Sequence, residues 1–101
     1  MHTRYRLELI IERMALQRAC NVLEAAGLTG YTVLPAIAGF GGGNHWNRDS
    51  DLSASGNMLL IISIGTEARI NAALEHLESL LGSHIGVLNV SEVKVMRPDR
   101  F

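Results

Sequence analysis

Residues 27–43 read GLTGYTVLPAIAGFGGG, and their character changes twice. Gly27 offers a stop to whatever helix precedes it, since glycine enters the left-handed region that ends helices without a Cβ penalty. Residues 31–38, YTVLPAIA, are rich in β-formers, but Pro35 has no N–H for a central ladder and pushes the segment toward a sheet edge or a bulge. From Gly39 the composition turns to glycine and polar residues and stays so to residue 56, GFGGGNHWNRDSDLSASG. A patternless segment of this length in a compact domain is a functional loop or a linker. The stretch therefore reads as a strand that leaves a helix and enters a long loop.

Working outward toward the N-terminus, Leu16, Ala19, Cys20, Leu23 and Ala26 recur at three- and four-residue spacing, which predicts a helix from Met14 to Gly27. Before it, Tyr5, Leu7, Leu9 and Ile11 alternate with Arg6 and Glu8 as in a strand with one buried face. On the other side of the loop, residues 58–64, MLLIISI, form a nearly continuous apolar strand. Thr66 is a candidate N-cap with Glu67 in the first turn. Ile70, Ala73, Leu74, Leu77 and Leu81 then mark a helix that stops at Gly82. Residues 86–96 supply the last strand, with a change of alternation at Ser91 and Glu92 that suggests a bulge. The order βαβ, loop, βαβ predicts an α+β ferredoxin-like βαββαβ fold. Its four-stranded antiparallel sheet carries both helices on one face, in a single domain over residues 1–101. A strand apolar at both alternations is expected where both faces are covered, yet two helices cover only one face. Self-association through the open face follows.

Nine basic and ten acidic side chains give a formal charge of −1, so no general attraction to nucleic acid or anionic membrane is expected. Cys20 is the sole cysteine and reads as a buried small hydrophobe, which excludes an intrachain disulfide and a CxxC site. No apolar run approaches the ~20 residues of a membrane span, and no leader pattern opens the chain. The reading is a cytoplasmic protein without membrane insertion.

Glycines at 39, 41, 42 and 43 follow a strand, where bare backbone N–H groups can approach an anion or simply give a flexible connector. The spacing is neither a dinucleotide nor a P-loop fingerprint. Asn44, His45, Trp46 and Arg48 bring an amide, an imidazole, an indole and a guanidinium into one short stretch, a set suited to anion contact. His2, His45, His76 and His84 lack the spacing of a zinc site, and no metal is expected. His76 reads as a solvated helix residue, whereas His84 lies in a turn where it could meet a ligand. Asp49 and Asp51 read as turn formers beside Ser50 and Ser53. No nucleophile elbow or triad is present, so no catalytic residue is assigned. Arg97 and Arg100 form the best basic pair, or an exposed tail.

In residues 27–43 the pattern G-x-x-G-x-T-V followed by G-F-G resembles the PII family, in which the first run opens the second strand and the second begins the T-loop. The matching residues are Gly27, Gly30, Thr32, Val33, Gly39, Phe40 and Gly41. The closing SEVKVMRPDRF resembles the family's last strand with its phosphate-facing arginine at Arg97, and element order and length agree over the whole chain. The resemblance implies a non-catalytic regulatory sensor, a homotrimer with adenine-nucleotide clefts between subunits and a T-loop at residues 39–56. Carried over, adenine lies near Tyr31, Thr32, Val33, Ser63 and Ile64, and phosphate near Gly39, Gly41, Gly86, Val87 and Arg97. Anion contacts in the T-loop fall to Gly42, Gly43, Asn44 and His45.

Two departures narrow this. The family's turn before the last strand carries a G-x-x-G-D-G-K segment, and here GSHIGVLN lacks the Asp, Gly and Lys, which favours ADP or AMP over ATP. The Arg-Gln pair after G-F-G and the modifiable Tyr are missing too, so 2-oxoglutarate coordination and uridylylation are not implied. The chain is more similar to the PII-like branch associated with carboxysomes and bicarbonate uptake. That likeness implies bicarbonate as a second ligand and a bicarbonate transporter or carboxysome component as partner. The alternatives are an acylphosphatase-type enzyme, whose early phosphate cradle has no glycines here at residues 11–15, and a structural interaction subunit with a vestigial pocket.

Overall fold

A computed structural model describes residues 1–41, 43–47 and 57–101. Its elements run β1 (His2–Glu12), α1 (Leu16–Ala25), β2 (Thr32–Pro35), β3 (Ala38–Gly41), β4 (Asn44–Asn47), β5 (Met58–Gly65), α2 (Glu67–Leu81) and β6 (Gly86–Val95). Four strands form one antiparallel sheet in the order β2-β5-β1-β6, the ferredoxin-like arrangement expected from the alternation of periods. β1 is central, and its odd residues Leu7, Leu9 and Ile11 are fully buried against Ala19, Leu23, Ile70, Ala73 and Leu77 of the two helices. Burial of each Leu or Ile contributes about 1.5–3 kcal/mol, so this layer is the main source of stability.

The helix ends follow from their capping residues. At the end of α1, Gly27 sits at φ +88°, the Leu28 N–H bonds the Leu23 carbonyl at 3.2 Å and the Gly27 N–H bonds that of Glu24 at 3.1 Å. This is a Schellman closure, with Leu23 and Leu28 both in the core. The Thr66 hydroxyl accepts from the Arg69 N–H at 3.4 Å and starts α2 as expected. Cys20 is buried and His76 exposed, also as expected.

Three boundaries differ from expectation. A short 3-10 turn, Arg13–Ala15, precedes α1, so Met14 stays 76% exposed instead of opening the helix. The second strand ends at Pro35 on the sheet edge, where the missing N–H costs no ladder bond. No bulge occurs at Ser91 and Glu92, because β6 pairs with β1 without interruption from Gly86 opposite Ile11 to Val95 opposite His2. The broken alternation marks a change of apolar face. Leu88 packs toward the helices opposite Leu9, whereas Val93 and Val95 lie opposite the even residues Arg4 and His2.

The stretch expected as one continuous loop is in part a hairpin. β3 and β4 pair antiparallel from Ala38 opposite Asn47 to Gly41 opposite Asn44, which leaves Gly42 and Gly43 between them. Gly43 takes φ +81°, a region closed to most side chains and common in two-residue hairpin turns. The Phe40 and His45 rings face each other across this ladder with centroids 4.6 Å apart. Glycines hid the alternation in the sequence. Gly42 and residues 48–56, with Arg48, Asp49 and Asp51, lie outside the described residues.

The sheet face away from the helices carries Ile10, Leu60, Ile62, Ile64 and Leu34, none of them fully buried, beside the Arg6–Glu8 ion pair at 3.2 Å. Among the described residues no helix is long and apolar enough to cross a membrane.

Candidate functional site

At the end of the sheet where β1 begins, β2 starts and β5 finishes. Ser63 faces the helices and is 2% exposed, and its hydroxyl donates to the Gly30 carbonyl at 2.7 Å. This bond ties the turn before β2 to β5. Tyr31, just ahead of β2, donates its hydroxyl to Glu24 Oε2 at 2.7 Å. The Glu24 carboxylate that accepts this proton, and Cys20 beside it, hold the phenol well above its ordinary range. The charge of Glu67 and a hydrogen bond to it raise the Tyr5 phenol at the same end. Thr32 is exposed opposite Ile62, Val33 packs on the core opposite Ile61, and Ile64 lies half-buried opposite Arg6.

The C-terminal tail closes over this end. Arg97 is exposed and leads into a 3-10 turn, Pro98–Arg100. Thr29 Oγ1 donates to the Arg100 carbonyl at 2.8 Å, and Arg4 Nη2 donates to that of Pro98 at 3.3 Å. Arg4 Nε is buried with no partner among the described residues. Tyr31, Thr32, Ser63 and Ile64 therefore lie on this side of the sheet, and Arg97, expected beside the phosphate residues Gly86 and Val87, stands instead at the end where β1 begins.

Gly86 and Val87 do not join them. They start β6 opposite Ile11 and Ile10, at the far end of β1. A Cβ on Gly86 would stand 2.8 Å from the Ile10 carbonyl oxygen and 2.7 Å from Leu81 Cδ2, so close packing alone requires glycine here. The hairpin leaves the sheet at this same end, where the Ala36 N–H bonds the Met58 carbonyl at 3.0 Å. It carries Gly39, Gly41, Gly43 and the exposed His45. The side chain of Asn44 lies outside the described residues, as does Gly42.

One cluster at this end was not foreseen. His84 Nδ1 lies 2.6 Å from Glu12 Oε1, and Arg18 Nη1 lies 3.3 Å from His84 Nε2. His84 is thus held by a carboxylate and not free in its turn. Its partners are 72 and 66 residues away in sequence, and no local spacing signals such a contact.

From His2 to Ile11 is nine residue steps along β1, about 30 Å at roughly 3.4 Å per residue. Arg97, two residues past the Val95–His2 pair, and Gly86, opposite Ile11, are separated by that span. Ser63 and Ile64, opposite Leu7 and Arg6, lie four and five steps along β1 from the level of Gly86. Among the described residues no three His, Cys, Asp or Glu side chains cluster as a metal site would need.

The family model described as nitrogen regulatory protein P-II matches residues 4–100, and the chain belongs to that family. No curated relative matches by sequence. Among solved structures the chain is similar to CPII, a nitrogen regulatory PII-like protein from Thiomonas intermedia K12, bound to ADP, AMP and bicarbonate. The TM-score is 0.88 at 26% identity, over 99% of this chain and 94% of that one. A putative PII-like signalling protein from Thermus thermophilus (TM-score 0.75, 18% identity, 98% and 95% coverage) shares the fold. So does the GlnK–ATP complex of B. subtilis (0.69, 14%, 98% of each chain).

Proposed function

We propose that this chain is a non-catalytic regulatory subunit that assembles as a homotrimer and binds ADP or AMP in clefts between subunits. The observation that carries this reading is the ~30 Å between Arg97 and the Gly86 turn, both of which the family resemblance puts on the phosphate. A nucleoside diphosphate cannot bridge them within one subunit, whereas a neighbouring copy can bring its Gly86 end against the Tyr31 end of the first. In that cleft adenine rests on Tyr31, Thr32 and Ile64 of one subunit, with the buried Ser63 and the core-packed Val33 fixing the strands behind them. The phosphates meet Gly86, Val87, Gly39 and Gly41 of the other, and Arg97 reaches across to them. The half-covered apolar face with Ile10, Leu60, Ile62 and Ile64 supplies the surface on which copies associate.

The ligands in the CPII structure favour ADP and AMP, with bicarbonate as the second signal. The hairpin, with Phe40 66% and Ile37 71% exposed, offers the apolar surface that a protein target would contact. An inorganic-carbon system is the proposed setting, with a bicarbonate transporter or carboxysome component as target. Calorimetric titration of ADP, AMP and ATP, each with and without bicarbonate, tests the reading. ADP and AMP should bind more tightly than ATP, and bicarbonate should change the ADP affinity. A protein that binds none of them is a structural subunit with a vestigial pocket.

A further inference from the structure

Basic residues are unevenly shared between the two ends of the sheet. Arg4, Lys94, Arg97 and Arg100 cluster at the Tyr31 end, with Arg6 next along β1, while Arg69 packs near Gly27. At the Gly86 end the described basic residues are Arg13 and Arg18, and the turn into β6, residues 82–86, holds neither Lys nor Arg. Within its own subunit, a nucleoside phosphate seated on that turn meets described backbone donors alone unless one of these two side chains joins the Arg97 that reaches across from the neighbouring copy.

Arg18 is steered there. Arginine carries only donors, so its contact with His84 requires an unprotonated Nε2, which puts the ring proton on Nδ1 facing Glu12. The His84 and Glu12 side chains are only 12% and 8% exposed, and this buried pair fixes the ring to which the guanidinium is tethered. Arg18 itself is exposed and has no other partner among the described residues, so its remaining N–H groups are available. Helix stability does not account for its place. It stands in the first turn of α1, where the helix dipole disfavours a cation and where no acidic residue sits.

We propose that Arg18 is a second side-chain cation, from the same subunit as the Gly86 turn, that contacts the phosphate of a nucleotide held there, with His84 and Glu12 as the residues that position it. This rests on the nucleotide reading above and adds a specificity-determining residue to it. Because Arg18 bonds phosphate, it discriminates ADP from adenosine and takes no part in adenine recognition.

The test is calorimetric titration of ADP and adenosine into the parent protein and into Arg18→Ala, Arg18→Lys, His84→Gln and His84→Phe. Arg18→Ala should weaken ADP about tenfold, the scale of a charge-assisted hydrogen bond, with adenosine affinity and melting temperature unchanged. Arg18→Lys should recover part of the loss, since it keeps the charge but not the fork. A Gln at position 84 can donate to Glu12 and accept from Arg18 and should bind ADP nearly as the parent does. Phe can do neither and should approach Arg18→Ala, and adding it to Arg18→Ala should weaken ADP no further. Equal ADP affinity in Arg18→Ala and the parent overturns this inference and leaves the nucleotide reading standing. A parent that binds neither ligand overturns both. Should His84→Phe unfold, the two Arg18 variants decide the matter alone.

Discussion

The two ends of the sheet hold their turns in different ways. At the Tyr31 end, neutral hydroxyls do most of the tying: Ser63 bonds the Gly30 carbonyl, Thr29 bonds that of Arg100 and Tyr31 bonds Glu24, with Arg4 donating to Pro98 and the Arg97 and Arg100 side chains at the surface. At the Gly86 end, a nearly buried carboxylate–imidazole pair and a glycine without room for a Cβ set the geometry. Neutral hydroxyl bonds contribute about 0.5–1.5 kcal/mol each, whereas a buried charged group that loses its partner costs several times more. The first end can therefore yield locally to a ligand, and the second is a rigid base from which the hairpin projects.

The largest effect expected from this contrast is at His84. His84→Ala leaves the Glu12 carboxylate buried without a donor and should destabilise the fold by about 3 kcal/mol in urea denaturation. A loss below about 1 kcal/mol would mean that the pair is solvated and the contrast false. Next is Arg97→Ala, which should weaken ADP by roughly 1.5–3 kcal/mol and leave adenosine nearly unchanged. Unaltered ADP binding would move the phosphate contact to Arg100 or Lys94. Ser63→Ala leaves the Gly30 carbonyl without its donor and should cost about 1 kcal/mol, read by the same denaturation, with amide exchange rising in the turn before β2. The smallest effect belongs to Thr29→Val, which removes the bond to Arg100. It should lower stability by about 0.5 kcal/mol while speeding exchange only in the last residues, and a global change in exchange would show that the tail supports the core.

Legibility followed periodicity. Leu7, Leu9 and Ile11 at a spacing of two, and Ile70, Ala73 and Leu77 at three and four, led directly to the sheet and its helix layer, because burial imposes those repeats. Gly27 and Thr66 marked helix ends for the same local reason. The hairpin was missed because Gly39, Gly41 and Gly43 carry no side chain with which to show alternation. The uninterrupted β6 was misread because its apolar face changes sides without a change of register. Of the site, the Tyr31 and Gly86 groups were legible as residue types, but the ~30 Å that separates Arg97 from Gly86 is a property of strand register that no residue shows alone. The Glu12–His84–Arg18 cluster is long-range in sequence and silent in it.

The central claim is that a complete nucleotide site exists only between copies of the chain. Native mass spectrometry of the protein titrated with ADP tests it most directly, because mass and occupancy are read on the same particle. The account predicts particles of three times the 11.0 kDa subunit mass that take up as many as three ADP, with monomers released by dilution carrying none. Monomers that retain ADP with the affinity of the assembled protein would contradict it.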